Sequence, residues 1–315
     1  MSAACLVTGG AGFIGSALVR ALLARGDRVR VFDNFFSGKR ENLAEVAGDI
    51  ELIEADLRDD VALGRALSGI ELVFHQAAIP SVPRSLVDPI ASHDVNASGT
   101  LKLLQAARQV GVRRVVYAAS SSAYGDTPTL PKVETMRPMP LSPYAVSKLA
   151  GELYCRVFSG AYGLETVALR YFNVFGPRQD PKSEYAAVIP RFVTAALAGR
   201  EVTIYGDGTQ SRDFCFIDNT VEANLLAASA PGVAGEVFNI ACGAATTLNE
   251  VVRLVGEIVG HEIPMRHVER RTGDVKHSLA DIGAARERLG YRGAISFAEG
   301  LARTVAWYAG GLTVA

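Results

Sequence analysis

The sequence predicts an α/β fold, a doubly wound parallel sheet followed by a smaller, mixed α/β C-terminal region. Three observations predict it. Short apolar runs alternate with longer amphipathic segments through the first half of the chain, the first run ends in a glycine cluster that opens a helical pattern, and the alternation loosens after about residue 175. C-L-V-T (5–8), V-R-V-F (29–32), I-E-L-I (50–53), L-V-F-H (72–75) and V-V-Y-A (115–118) read as buried strands. S-A-L-V-R-A-L-L-A-R (16–25) and T-L-K-L-L-Q-A-A-R-Q (100–109) read as helices between them, with a further helix from 143 and a strand near 166–170. Strand, helix, strand, repeated, is the pattern of a parallel sheet covered on both faces. F-G-P-R-Q-D-P-K-S-E (175–184) is rich in turn formers, so the chain divides into residues 1–175 and a region over 176–315 interleaved with them.

Composition narrows the function. Of the 315 residues 49% are hydrophobic and 21% charged, and 32 Lys plus Arg face 33 Asp plus Glu. That balance leaves no electrostatic footprint for nucleic acid or an anionic membrane. Charges interrupt every apolar run too soon for a spanning helix, and the N-terminal stretch has no basic, apolar signal pattern, so the expected location is the cytoplasm. The four cysteines, Cys5, Cys155, Cys215 and Cys242, form no Cys-x-x-Cys pair and read as small buried hydrophobes in a reducing compartment. Five histidines show no metal-ligand spacing, and no metal site is expected.

The first strand runs into T-G-G-A-G-F-I-G. Gly10, Gly12 and Gly15 fit G-x-G-x-x-G, while Gly9, Gly12 and Gly15 fit the wider G-x-x-G-x-x-G. Either set supplies a tight turn, a bare backbone for a pyrophosphate and close helix–sheet packing. The second strand ends at Asp33, eighteen residues beyond Gly15. A carboxylate there accepts hydrogen bonds from an adenosine ribose and repels a 2′-phosphate, which favours NAD over NADP. Asp56, after the third strand, is placed to reach the adenine side.

In L-S-P-Y-A-V-S-K, Ser142 and Pro143 start a helix, and Tyr144 and Lys148 share one of its faces. A phenol is a poor base at neutral pH, but a nearby ammonium and a positive nicotinamide ring both favour its phenolate. Alone, such a pair recurs by chance and reads more readily as a solvated helix face. Two features favour the acid–base couple. Ser120, Ser121 and Ser122 follow a strand where hydroxyls can hold a substrate oxygen, and the Asn96 amide is placed to order a water or a backbone carbonyl near the lysine. A polar turn is the alternative reading of the serines.

These segments, with L-R-Y-F-N-V-F-G-P-R, G-D-G-T-Q-S-R-D-F-C-F-I-D-N and R-T-G-D-V-K-H-S-L-A-D, resemble the extended short-chain dehydrogenase/reductase family over essentially the whole chain. Within it the sequence is most similar to UDP-hexose 4-epimerases, above all the bacterial branch acting on UDP-N-acetylglucosamine and UDP-N-acetylgalactosamine, of which Y-A-A-V-I-P and S-V-P-R-S are typical. The resemblance implies a Rossmann-type sheet, a C-terminal substrate domain and a tightly bound NAD. It assigns the cofactor to Gly9, Gly12, Phe13, Ile14, Gly15, Asp33, Asn34, Asp56, Leu57, Gln76, Ala77, Ala78, Asn96, Tyr144, Lys148 and Tyr171. Tyr144 becomes the base for the substrate 4-hydroxyl, Lys148 lowers its pKa and binds the nicotinamide ribose, and Ser120 shares the proton path. The UDP-sugar falls to Ser81, Ser121, Ser122, Asn173, Ala187, Val188, Tyr205, Arg212, Arg271, Asp274 and Ser278. Asn173, Arg212 and Arg271 would meet the diphosphate and Asp274 the uridine ribose. Ser278 would line the sugar pocket, where some relatives carry a tyrosine. Either arginine can also be read as a surface ion-pair member, and Ser278 as a plain polar residue. The resemblance further implies a homodimer paired through helices near 88–109 and 143–160.

The chain departs from the pattern at Pro80, where many 4-epimerases have lysine or glycine, and at Ala187, where some have asparagine. Ser121 and Ser122 replace the acid pair a 4,6-dehydratase needs beside its catalytic hydroxyl. A uronate epimerase or decarboxylase, and a silent NAD-binding regulator, are the remaining alternatives.

Overall fold

Six strands form where the apolar runs predict them: β1 (Ala4–Thr8), β2 (Arg28–Asp33), β3 (Ile50–Glu54), β4 (Leu72–His75), β5 (Arg114–Ser120) and β6 (Glu165–Tyr171). The structure, a computed structural model, describes residues 2–181, 188–269 and 275–312. A seventh strand, Glu236–Ile240, lies beside β6 and was not anticipated. All pairings in the sheet are parallel, and the spatial order runs from that strand through β6, β5, β4, β1 and β2 to β3. The order reverses between β1 and β4, so the loops leaving those strands diverge and open a crevice at the carboxyl edge.

Period-two alternation sends each strand's side chains to both faces. Cys5 and Val7 of β1 enter one core with Leu18, Val19 and Leu22 of the Phe13–Ala24 helix. Leu6 enters the other, with Leu63, Leu103, Leu104 and Phe158 from the Asp60–Leu67, Gly99–Gln109 and Pro143–Tyr162 helices. The 20-residue Pro143–Tyr162 helix begins as the sequence predicts: the Ala145 amide donates to Ser142 Oγ at 3.2 Å, and Pro143 takes the first position. Gly163 ends it at φ 71°, a left-handed turn that favours glycine. Inside it, Glu152 meets Arg170 of β6 through two bonds of 2.8 and 2.6 Å, fixing the helix against the sheet.

Beyond β6 the elements shorten. Val202–Tyr205 pairs with Met265–Val268, and Ser211–Asp213 pairs antiparallel with Ala245–Thr247. The Val188–Leu197, Leu248–Val259 and Phe297–Leu312 helices surround them. The observed class is the expected one, a covered parallel sheet plus a smaller mixed α/β region. No helix among the described residues is long and apolar enough to cross a membrane.

Candidate active site

The glycine turn resolves the two spacings of its motif. Gly9 has φ +67°, the conformation a side chain resists, and a Cβ there would lie 2.7 Å from the Ala77 amide nitrogen. A Cβ on Gly15 would lie 2.1 Å from the Gly9 carbonyl oxygen, so Gly15 allows the helix to pack on the turn. Gly10 is a packing position against Val31. At Gly12 a Cβ would meet only the Gly9 carbonyl oxygen, at 3.1 Å, and Gly12 caps the helix with no side chain bonded to its first amides. The free amides that follow, from Phe13 onward, form a cradle suited to a phosphate anion. A dinucleotide fits it.

Asp33 sits beside this cradle, nearly buried. Its carboxylate accepts the Ala11 amide at 2.9 Å and the Phe35 amide at 2.8 Å. Burial pushes the carboxyl up, and those two bonds pull it back. Asn34 donates to Asp56 at 3.0 Å, and Arg58 holds Asp56 through its backbone and guanidinium, taking the carboxyl down to about 2. Leu57 beside them is buried.

On the other side of β1, the Ala77 amide donates to Thr8 Oγ1 at 3.3 Å and Ala78 follows in the same loop. Asn96 lies in a one-turn π-helical segment, Asp94–Ser98. Its amide accepts from Ile79 N at 2.7 Å and donates to Ile79 O and Ser147 Oγ, so it ties the β4 loop to the tyrosine helix. Gln76 and Tyr171, at the ends of β4 and β6, meet at 3.1 Å. Asn224 of the Ile217–Ser229 helix joins both, donating to the Tyr171 hydroxyl at 2.8 Å. His75 lies fully buried between the Thr8 and Thr100 hydroxyls, and burial takes it down to about 3, a neutral spacer.

Ser120, Tyr144 and Lys148 come together at the end of β5. Ser122 donates to Ser120 Oγ at 2.8 Å, and the Ser120 hydroxyl is near enough to the Tyr144 phenol to act on its acidity. What moves the phenol is burial, upward, and the Ser120 hydroxyl, downward. Burial pushes the Lys148 ammonium down to about 7, and Nζ lies 4.5 Å from the centre of the Tyr117 ring.

The substrate residues divide into groups. Asn173, Val188 and Arg212 line one cavity of about 230 Å³ with Phe175, Ile189 and Phe214. Asn173 takes φ 33° and donates to the Asp213 carbonyl at 3.1 Å. Arg212 is held by the Ser211 and Lys276 carbonyls at 2.9 and 3.1 Å. Ser278 is one residue removed, its amide donating to Ser211 O at 3.0 Å. Tyr205 ends its strand opposite Val268 and is not among the residues lining that cavity. Ser81, at φ 98°, caps the Val82–Val87 helix by accepting the Arg84 amide, and Ser121 and Ser122 lie at the end of β5. Pro80 is exposed beside Ser81. Ala187, Arg271 and Asp274 lie outside the described residues.

Two residues escaped the sequence reading. Asp213, fully buried, accepts the Cys242, Gly243 and Ala280 amides and so assembles the region behind Arg212, with burial raising its carboxyl to about 6. Asn224 is the other. Each is a single polar residue with distant partners, and R-D-F and A-N-L carry no spacing that singles them out. All four cysteines are free, three of them buried and Cys242 partly so, and no metal-holding cluster occurs among the described residues.

Residues 5–241 match the NAD dependent epimerase/dehydratase family. The UDP-glucose 4-epimerase of Mycolicibacterium smegmatis is 42% identical over 307 residues, 96% of this chain and 97% of that protein. Among solved structures, a UDP-N-acetylglucosamine 4-epimerase from Methanobrevibacter ruminantium in complex with UDP-N-acetylmuramic acid aligns with a TM-score of 0.94 and 40% identity, over 98% of this chain and 99% of that one. A Thermus thermophilus UDP-glucose 4-epimerase in complex with NAD aligns with a TM-score of 0.89 and 39% identity, over 98% and 99%.

Proposed function

Because the chain belongs to the NAD dependent epimerase/dehydratase family, we propose that it inverts C4 of UDP-hexoses through a transient 4-keto sugar. UDP-N-acetylglucosamine and UDP-N-acetylgalactosamine form one pair of substrates, UDP-glucose and UDP-galactose a second. The observation that carries this is the junction of Ser120 at the end of β5, Tyr144 and the buried Lys148 on the helix beside it, and the glycine cradle, all at one sheet edge.

Bound NAD supplies a hydride acceptor for C4 and a positive ring that favours the Tyr144 phenolate. Tyr144 takes the 4-hydroxyl proton and, once the keto sugar has turned over, returns it to the C4 oxygen, with Ser120 sharing the path. Gly9, Gly12 and Gly15, with the amides of Phe13 and Ile14, hold the pyrophosphate. Asp33 accepts from the adenosine ribose, while Asn34, Asp56 and Leu57 border the adenine. Ala77, Ala78 and the Asn96-pinned loop border the nicotinamide half, as do Gln76 and Tyr171. Inversion requires the sugar to swing while its diphosphate stays put. Arg212, already oriented by two carbonyls, and Asn173 supply that hold, a task shared with Arg271, while Asp274 takes the uridine ribose. Residues 176–315 thereby act mainly on the UDP-sugar and 1–175 mainly on the cofactor.

A second copy of the chain is the proposed partner. Val87 and Ile90 are 80% and 72% exposed, and Val146, Leu153 and Val157 line up on one exposed face of the tyrosine helix. That face belongs to the two helical segments through which a homodimer is expected.

Ser278 is proposed to leave room for a 2-acetamido group. The test supplies UDP-N-acetylglucosamine or UDP-glucose, with no added cofactor, to wild type and Ser278→Tyr, and resolves the epimers by NMR. Wild type should convert both sugars, and the variant should lose the acetamido substrate while keeping the plain hexose. Equal losses on both would remove Ser278 from the specificity, and no epimer from any UDP-sugar would overturn the reading.

A further inference from the structure

The S-V-P-R-S segment contains an arginine to which nothing above gives a task. Arg84 sits in the first turn of the Val82–Val87 helix, reached from β4 through the Ala77–Ser81 loop. Its guanidinium carbon lies 5.1 Å from the centre of the Phe36 ring. Phe36 belongs to the loop after β2, where its amide donates to Asn34 Oδ1, and is 57% exposed. In the sheet, β4 and β2 are the two neighbours of β1. The glycine turn after β1 touches both flanking loops, Ala77 on one side and Lys39 on the other, whose amide donates to Ala11 O at 3.0 Å. A contact between the β4 and β2 loops therefore spans the carboxyl edge on either side of the glycine cradle. A large aromatic left half-exposed, with a cation over its face, is a closure of moderate strength that opens without disturbing a core.

We propose that Phe36 and Arg84 form a clasp across the bound dinucleotide and slow its release. The clasp rests on NAD occupying the glycine turn. Epimerisation leaves the cofactor in its starting redox state, so an enzyme of this kind gains from keeping it in place between turnovers. Arg84 and Phe36 are positioning residues in this sense, acting on retention and not on the transfer.

The test is a chase. Wild type, Phe36→Ala, Arg84→Ala and the double variant are loaded with adenine-labelled NAD and diluted into unlabelled NAD, and the label still bound is followed by rapid filtration. No sugar is present, so failure of the epimerase reading leaves this result untouched. Each single variant should lose label about 2–5-fold faster, the range a surface cation–aromatic contact supports. The double variant should lose it no faster than the quicker single, because one contact is removed once. Equal release from all four proteins overturns the clasp, as do effects that multiply in the double variant. Wild type that retains no label overturns the clasp together with the cofactor site beneath it.

Discussion

At the scale of the residue, Tyr144 is asked to be a base in a setting that, without cofactor, discourages it. Burial raises the phenol, and burial also takes the neighbouring ammonium down to about 7. The two shifts share one cause, the exclusion of water from the end of β5, and they reinforce each other until a positive charge arrives. Under the proposed mechanism the positive ring of bound NAD would offset that burial and favour the phenolate. Tyr144→Phe should retain NAD, read from absorbance and extraction of the purified protein, and lose about 10²–10⁴-fold in turnover from the missing proton transfer. A variant within a few-fold of wild type would take Tyr144 out of the reaction.

At the scale of the element, the tyrosine helix is a positioned object. Ser142 and Pro143 set its start, Asn96 reaches Ser147 from the side, and the Glu152–Arg170 pair ties its middle to β6. Arg170 and Glu152 are 2% and 8% exposed. Arg170→Met therefore strands a buried carboxylate and should lower stability by about 3–5 kcal/mol, whereas adding Glu152→Leu should restore most of the loss. Denaturant unfolding at fixed NAD separates these outcomes, because bound cofactor shifts stability by itself. A single variant as stable as wild type would show that the pair does not anchor the helix. The helix start was legible because capping is local, a serine and a proline in adjacent positions. The strand Glu236–Ile240 was not. Asn239, fully buried in it, is matched by Tyr124, Lys132 and Asp281, more than a hundred residues away in the first two cases, and this polar residue breaks the apolar run that would announce a strand. Sequence separation also hid Asn224, which bonds Gln76 across 148 positions, and the shorter-range Phe36–Arg84 contact. Gly9, Asp33, Tyr144 and Lys148 were visible because a few neighbouring residues define each of their tasks.

At the scale of the whole molecule, the parallel sheet brings the groups of the proposed reaction to one edge: the glycine cradle after β1 with Asp33 of β2, the serine and tyrosine at β5, and Asn173 and Arg212 beyond β6. One face of the tyrosine helix carries the exposed Val146, Leu153 and Val157, the face proposed to meet a second copy. Leu153→Asp should convert a dimer to a monomer in sedimentation velocity, since a carboxylate in the centre of a dry interface lacks a partner. A wild type that sediments as a monomer would remove the dimer. If the proposed route holds, the hydrogen lost from C4 returns to the same carbon after the sugar turns over, and one isotope measurement reaches it. UDP-N-acetylglucosamine deuterated at C4 is incubated with the purified protein in ordinary water, with no NAD added, and the UDP-N-acetylgalactosamine formed is examined by NMR. Full retention of deuterium at C4 is the expected result, because the hydride is stored inside the closed site and handed back. Protium at C4 would mean exchange with solvent, and the ketone route on an internal cofactor would be wrong.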